Sequence, residues 1–120
     1  MPKAEKLNYL TSHRGPEVAL CEKMRVENWY SYHTCYVVNC SVFAKAKKSR
    51  RDDLAALVKQ HDGLIKDKLR SVIASVNPED IKDPHLEVVK RKLKYTMDGI
   101  VGNGLMEEIL IPEWMSFRSR

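Results

Sequence analysis

No apolar run in the sequence approaches the roughly 18 residues of a transmembrane helix. The first fifteen residues, MPKAEKLNYLTSHRG, contain no apolar stretch that could form the core of a secretion signal. Cysteine is scarce: three, an odd number, do not close a disulfide framework, and free or buried thiols in a reducing compartment are the simplest reading. No CxxC or HxxxH pair accompanies them, so the ligand spacing of a structural zinc site is missing. A large charge of one sign is missing too. The 21 Lys and Arg exceed the 16 Asp and Glu by +5, enough for weak attraction to an acidic partner, anionic lipid or nucleic acid, and too little to choose among them. These absences lead to the expectation of a soluble, cytoplasmic chain that needs no metal and no cofactor.

At 120 residues, 43% hydrophobic and 31% charged, the chain has the size and composition of one globular domain. A chain this long buries roughly two-thirds of its unfolded surface and needs no staple to fold. Residues 1–15 are polar, basic and end at Gly15-Pro16, which reads as a mobile leader before a single domain over residues 16–120. Val18 and Leu20, then Met24 and Val26, alternate with polar residues and predict one or two short half-buried strands, with a turn beginning at Asn28. Residues 32–44 predict the most continuous strand, with Tyr36, Val38, Cys40, Val42 and Ala44 on the core face and Cys35, Val37 and Phe43 on the other.

The period changes at Ser49. Leu54, Leu57, Val58, His61, Leu64, Ile65, Leu69, Val72, Ile73 and Val76 form a stripe spaced by threes and fours, which predicts an amphipathic helix of roughly 25 residues. Ser49 with Asp52 makes a variant capping box, and Gly63 is a candidate bend. Asn77-Pro78 ends the helix, and Asp83-Pro84 predicts the N-cap and first turn of a second one over residues 84–101. Gly102-Asn103-Gly104 supplies a turn that tolerates positive φ, and residues 105–117 read as a last strand in which Pro112 marks an edge or a bulge. The order β-β-α-α-β predicts an α+β fold, a mainly antiparallel sheet covered on one face by two amphipathic helices.

The chemistry-bearing residues make no convincing catalytic set. His33 and Cys35 share a strand face while Cys40 opposes them; His61 reads as a packed core residue. A cysteine nucleophile needs a positioned His and an orienting group, and no spacing supplies them. Asp83 is accounted for as a cap, and Glu107 and Glu108, adjacent on a strand, are expected on opposite faces. Gly99, Gly102 and Gly104 close a helix, whereas the glycines of a phosphate loop open one. The most informative charges are Lys45, Lys47, Lys48, Arg50 and Arg51, crowded at a helix N-terminus where the macrodipole disfavours cations. They read as a solvated loop or as a contact for an acidic partner, lipid headgroup or nucleic acid. Lys90, Arg91, Lys92 and Lys94 form a second group, partly paired with Glu87 and Asp98 along the helix. With the edge at Pro112, these two groups are the candidate contact surfaces.

From Val18 onward, about 100 residues, the chain resembles the extracytoplasmic domain of FliL, the flagellar basal-body-associated protein family. The segments that carry the resemblance are CYVVNCSVFAKA leading into a long charged helix, LRSVIASVNPEDIKDPHLEVVKRKLKYTM, and the closing turn and strand GNGLMEEILIPEWMSF. The resemblance implies a stomatin/SPFH-like fold, a non-enzymatic role supporting the flagellar stator, and ring-like self-association. That family carries an N-terminal membrane anchor, which this sequence lacks. Either the anchor belongs to a longer protein placed at the inner membrane and in the periplasm, or this is a soluble relative. The alternatives are a small basic nucleic-acid-binding domain, whose affinity would fall steeply with salt, and a cysteine-dependent enzyme, whose thiol would have a lowered pKa.

Overall fold

The computed structural model describes residues 15–120, so the leader expected over residues 1–15 lies almost wholly outside the described residues. Strand β1 (Glu17–Ser31) turns tightly through Tyr32 and His33 into β2 (Thr34–Ala46). Four helices follow: α1 (Arg51–Gln60), α2 (Asp62–Ser75), α3 (Pro78–Ile81) and α4 (Glu87–Val101). Strand β3 (Met106–Arg118) then returns to pair with the other side of β2, giving an antiparallel sheet in the order β1-β2-β3. The class is α+β, as the change of period along the sequence predicts.

Alternation decides how the layers meet. Tyr36, Val38, Cys40, Val42 and Ala44 of β2 join Val18, Leu20 and Val26 of β1 and Ile109 of β3 in one apolar cluster. Leu54, Val58, Ile65, Leu69 and Ile73 from α1 and α2, and Val89, Leu93 and Met97 from α4, complete it. These two helical stripes cover the same sheet face, here called inner. Cys35, Val37, Ser41 and Phe43 point to the outer face and do not belong to this cluster. Gly102 and Gly104 adopt φ of 91° and 103°, so the turn into β3 needs the conformational freedom the sequence provides there.

Several expectations are corrected. The chain does not turn at Asn28. That residue is buried within β1, and its side-chain amide donates to the carbonyls of Ile73 (2.9 Å) and Val76 (2.8 Å), serving the unpaired C-terminal carbonyls of α2. The two alternating patches of β1 belong to one strand whose register slips between Ala19 and Met24, where Lys23 takes φ 52° and donates its amide to Ser41 Oγ. The long helix divides at His61 (φ −111°, ψ 26°) rather than bending at Gly63. His61 is half-buried at this kink, and Leu64 beyond it is exposed on the flank of the stripe that Val58, Ile65 and Leu69 continue into the core.

Ser49 is not the N-cap of α1. It sits at φ 65°, and Arg50 holds the cap position without a side-chain hydrogen bond. The connector at residues 79–82 contains the single-turn helix α3. The second helix begins at Glu87, three residues later than expected, after Leu86 adopts a left-handed conformation. Leu86 rather than Asp83 therefore holds the N-cap position, although the Asp83 carboxylate accepts the backbone N–H groups of His85 (3.1 Å) and Glu87 (3.0 Å) just ahead of the helix. Those two donors hold the Asp83 carboxyl below its ordinary range.

Candidate interaction surface

The cationic segment at residues 45–51 follows β2 into α1, and most of its charge is answered locally. Lys45 lies 3.5 Å from Glu107 and 4.0 Å from Glu108. The adjacent glutamates do not oppose each other across the sheet as expected, because a register shift between Lys45 and Ala46 turns both toward the same lysine. Arg50 Nε donates to Asp53 at 3.0 Å, and Arg51 lies 3.8 Å from Asp52. Lys47 and Lys48 are exposed and have no ion pair within 4.0 Å among the described residues. Such surface pairs contribute about 0–1 kcal/mol each, but they remove most of the local excess of positive field.

The second group is elsewhere. Lys90 borders a shallow depression with His85, Leu86 and Ile111, whereas Lys45, Lys47, Lys48 and Arg51 border another with Pro16 and Glu107. Lys94 is paired with Asp98 at 2.9 Å, and Arg91 is exposed on α4. The fold therefore leaves the two basic groups as separate patches. Pro112 is exposed where β3 bulges between its pairings with Ser41 and Phe43, as its missing N–H requires.

Apolar exposure is concentrated where no single motif announces it. Trp29, Tyr30, Tyr32, Met115 and Phe117 are 48%, 64%, 95%, 66% and 49% exposed, and all belong to the hairpin end of the sheet. The register places Phe117 beside Val37 and Met115 beside Asn39 on the outer face, and Trp29 beside Cys35. Among the described large apolar side chains with such exposure, only Leu64 and Tyr95 lie elsewhere. The alternation of Met115 and Phe117 is legible in the sequence, but which of the two faces would lack helices is not. Strand β3 has β2 on one side and, among the described residues, no strand on the other. The opposite edge, β1, is partly occupied by Arg70, whose Nη1 donates to the carbonyl of Arg25 at 2.7 Å.

The cysteines are free and buried. Burial pushes the Cys40 thiol up to about 12 and raises that of Cys21 as well, the opposite of what a thiolate nucleophile needs. His33 sits exposed in the hairpin turn, separated from Cys35 by the start of β2. No group of three His, Cys, Asp or Glu with metal-binding proximity occurs among the described residues. No helix there is long and apolar enough to cross a membrane.

Compared with known proteins, the chain matches no family model and no curated relative.

Proposed function

We propose that the chain is a non-enzymatic protein-interaction module that works by self-association, in the manner its resemblance to FliL implies. In this reading it is a support for a flagellar stator complex, and its α+β fold is a variant of the stomatin/SPFH type. One observation carries the self-association: β3 is an edge strand flanked on the outer face by the exposed side chains Met115 and Phe117. An unpaired edge next to apolar surface is a template for another chain, and monomers usually blunt it. Pro112 and its bulge divide that edge, so pairing is confined to the segments on either side.

In this reading the basic residues Lys47, Lys48 and Arg91 form surfaces apart from that contact and steer an acidic partner. The nucleic-acid reading loses support from the pairing of Lys45 and Arg50 with nearby carboxylates. The experiment is the mass by light scattering across concentration. Species that grow from 13.9 kDa toward integer multiples support the reading. A mass that stays at one chain throughout, with binding to DNA that falls steeply with salt, replaces it with the nucleic-acid alternative.

A further inference from the structure

The end of the β1–β2 hairpin extends past the helical layer. Asn28 is the last inner-face residue of β1 held by a helix, through its bonds to the end of α2. From there the strand and its turn run on to Tyr32, four residues or roughly 13 Å further. Trp29 points to the outer face of this projection, Tyr30 lies at the register shift between Trp29 and Ser31, and Tyr32 occupies the turn itself. Tyr30 is 64% exposed there and Tyr32 95%, so both rings stand in solvent.

Cations stand just behind these rings. Arg120 lies over the Trp29 ring at 5.6 Å, and Lys82 lies over the Tyr36 ring at 5.2 Å on the inner side. Arg118 pairs in register with Tyr36, and its Nε is held by the Arg120 carbonyl. On the three strands at this level the one described acid is Glu27, and it is engaged by Arg25 and by the Trp29 indole. The projection thus has aromatic rings with polar edges at its end and positive charge about one ring-depth back.

We propose that this hairpin tip inserts into the interface of an anionic lipid bilayer. Tyr and Trp settle at the level of lipid headgroups, where one end of the ring is dry and the other wet. Cations close behind them meet the negative surface of the leaflet. A narrow tip with rings on the outer face, at the bulge and at the turn fits a deformable medium. A flat protein surface would reach one face of the sheet and leave the rest of the rings in water. The tip adjoins the β3 residues Met115 and Phe117, but Tyr30 and Tyr32 play no part in the self-association reading, so this inference does not rest on it.

The test is co-sedimentation with vesicles of phosphatidylcholine alone and of phosphatidylcholine with phosphatidylglycerol. The expected result is binding to the anionic vesicles that weakens with salt and is slight on neutral ones. The doubly substituted Tyr30→Ser, Tyr32→Ser chain should bind roughly tenfold or more weakly, since it loses two interfacial rings. Both positions are largely exposed, so circular dichroism of this variant should match the unaltered chain. A Lys47→Glu, Lys48→Glu chain, altered at the far end of the sheet, should keep most of its affinity. Absence of vesicle binding overturns the proposal. So does binding that survives the tyrosine substitutions, or binding lost only in the lysine variant. If those tyrosine substitutions change the mass by light scattering and no vesicle binding occurs, the tip is a protein contact and the proposal fails.

Discussion

The two faces of β2 are both largely buried, by different means. On the inner face Val38 and Val42 are fully covered, with Leu69, Leu93 and Met97 of the helices in the same cluster. On the outer face Cys35 and Val37 are 1% exposed, yet they lie between strand neighbours, Trp29 on one side and Phe117 on the other, that are themselves half in solvent. The inner face is a core in which every atom has fixed neighbours. The outer face is covered by side chains that are themselves about half exposed, so replacing them is expected to cost little stability. That difference separates what keeps this protein folded from what is free to contact something else.

The contrast is broken most severely from the inside. Leu93→Ala, at a fully buried position of α4, should cost about 2–5 kcal/mol, because the rigid sheet cannot collapse into the space. Urea denaturation reads this as a lower midpoint. Asn28→Ala should cost about 1–3 kcal/mol, since it leaves the carbonyls of Ile73 and Val76 buried without their donor. Hydrogen exchange should then show the last turn of α2 opening first.

Asp83→Ala removes the acceptor of two backbone N–H groups and should lower stability modestly at pH 7. The sign of its pH dependence follows from its depressed folded-state pKa. Its ionised form stabilises the fold above the ordinary value of 3.8, and that contribution is lost as the pH falls through the lower value of the folded state. The gap between Asp83→Ala and the unaltered chain should therefore close in acid, as followed by thermal melts from neutral to strongly acidic pH. The smallest effect on stability belongs to the outer face. Met115→Ser, at a 66% exposed position, should change it by no more than about 0.5 kcal/mol while weakening self-association.

Much of the inner face is legible in the sequence. The period-two pattern of β2 names its core residues, Asn77-Pro78 ends α2 near where it does end, and Gly102 and Gly104 mark the turn into β3. What fails depends on partners far along the chain. Asn28 reads as a turn residue because its acceptors lie 45 and 48 positions away. Ser49 has the chemistry of a cap, but the backbone there takes a positive φ that moves the helix start past it. The same holds for the surface. The cations of residues 45–51 are plain in the sequence, whereas their neutralisation by Glu107 and Glu108 requires β3 to fold back beside β2. Trp29 falls in the expected turn and Phe117 in the expected last strand, and alternation cannot tell which face the helices will leave bare.

The claim that the outer face serves contact rather than folding is tested most directly by the double substitution Met115→Ser, Phe117→Ser, measured for mass and for urea stability in the same sample. A single-chain mass is expected at concentrations where the unaltered protein assembles, with a stability loss no larger than about 1 kcal/mol from two exposed positions. An assembly that persists undiminished, or a chain that no longer folds, would contradict it.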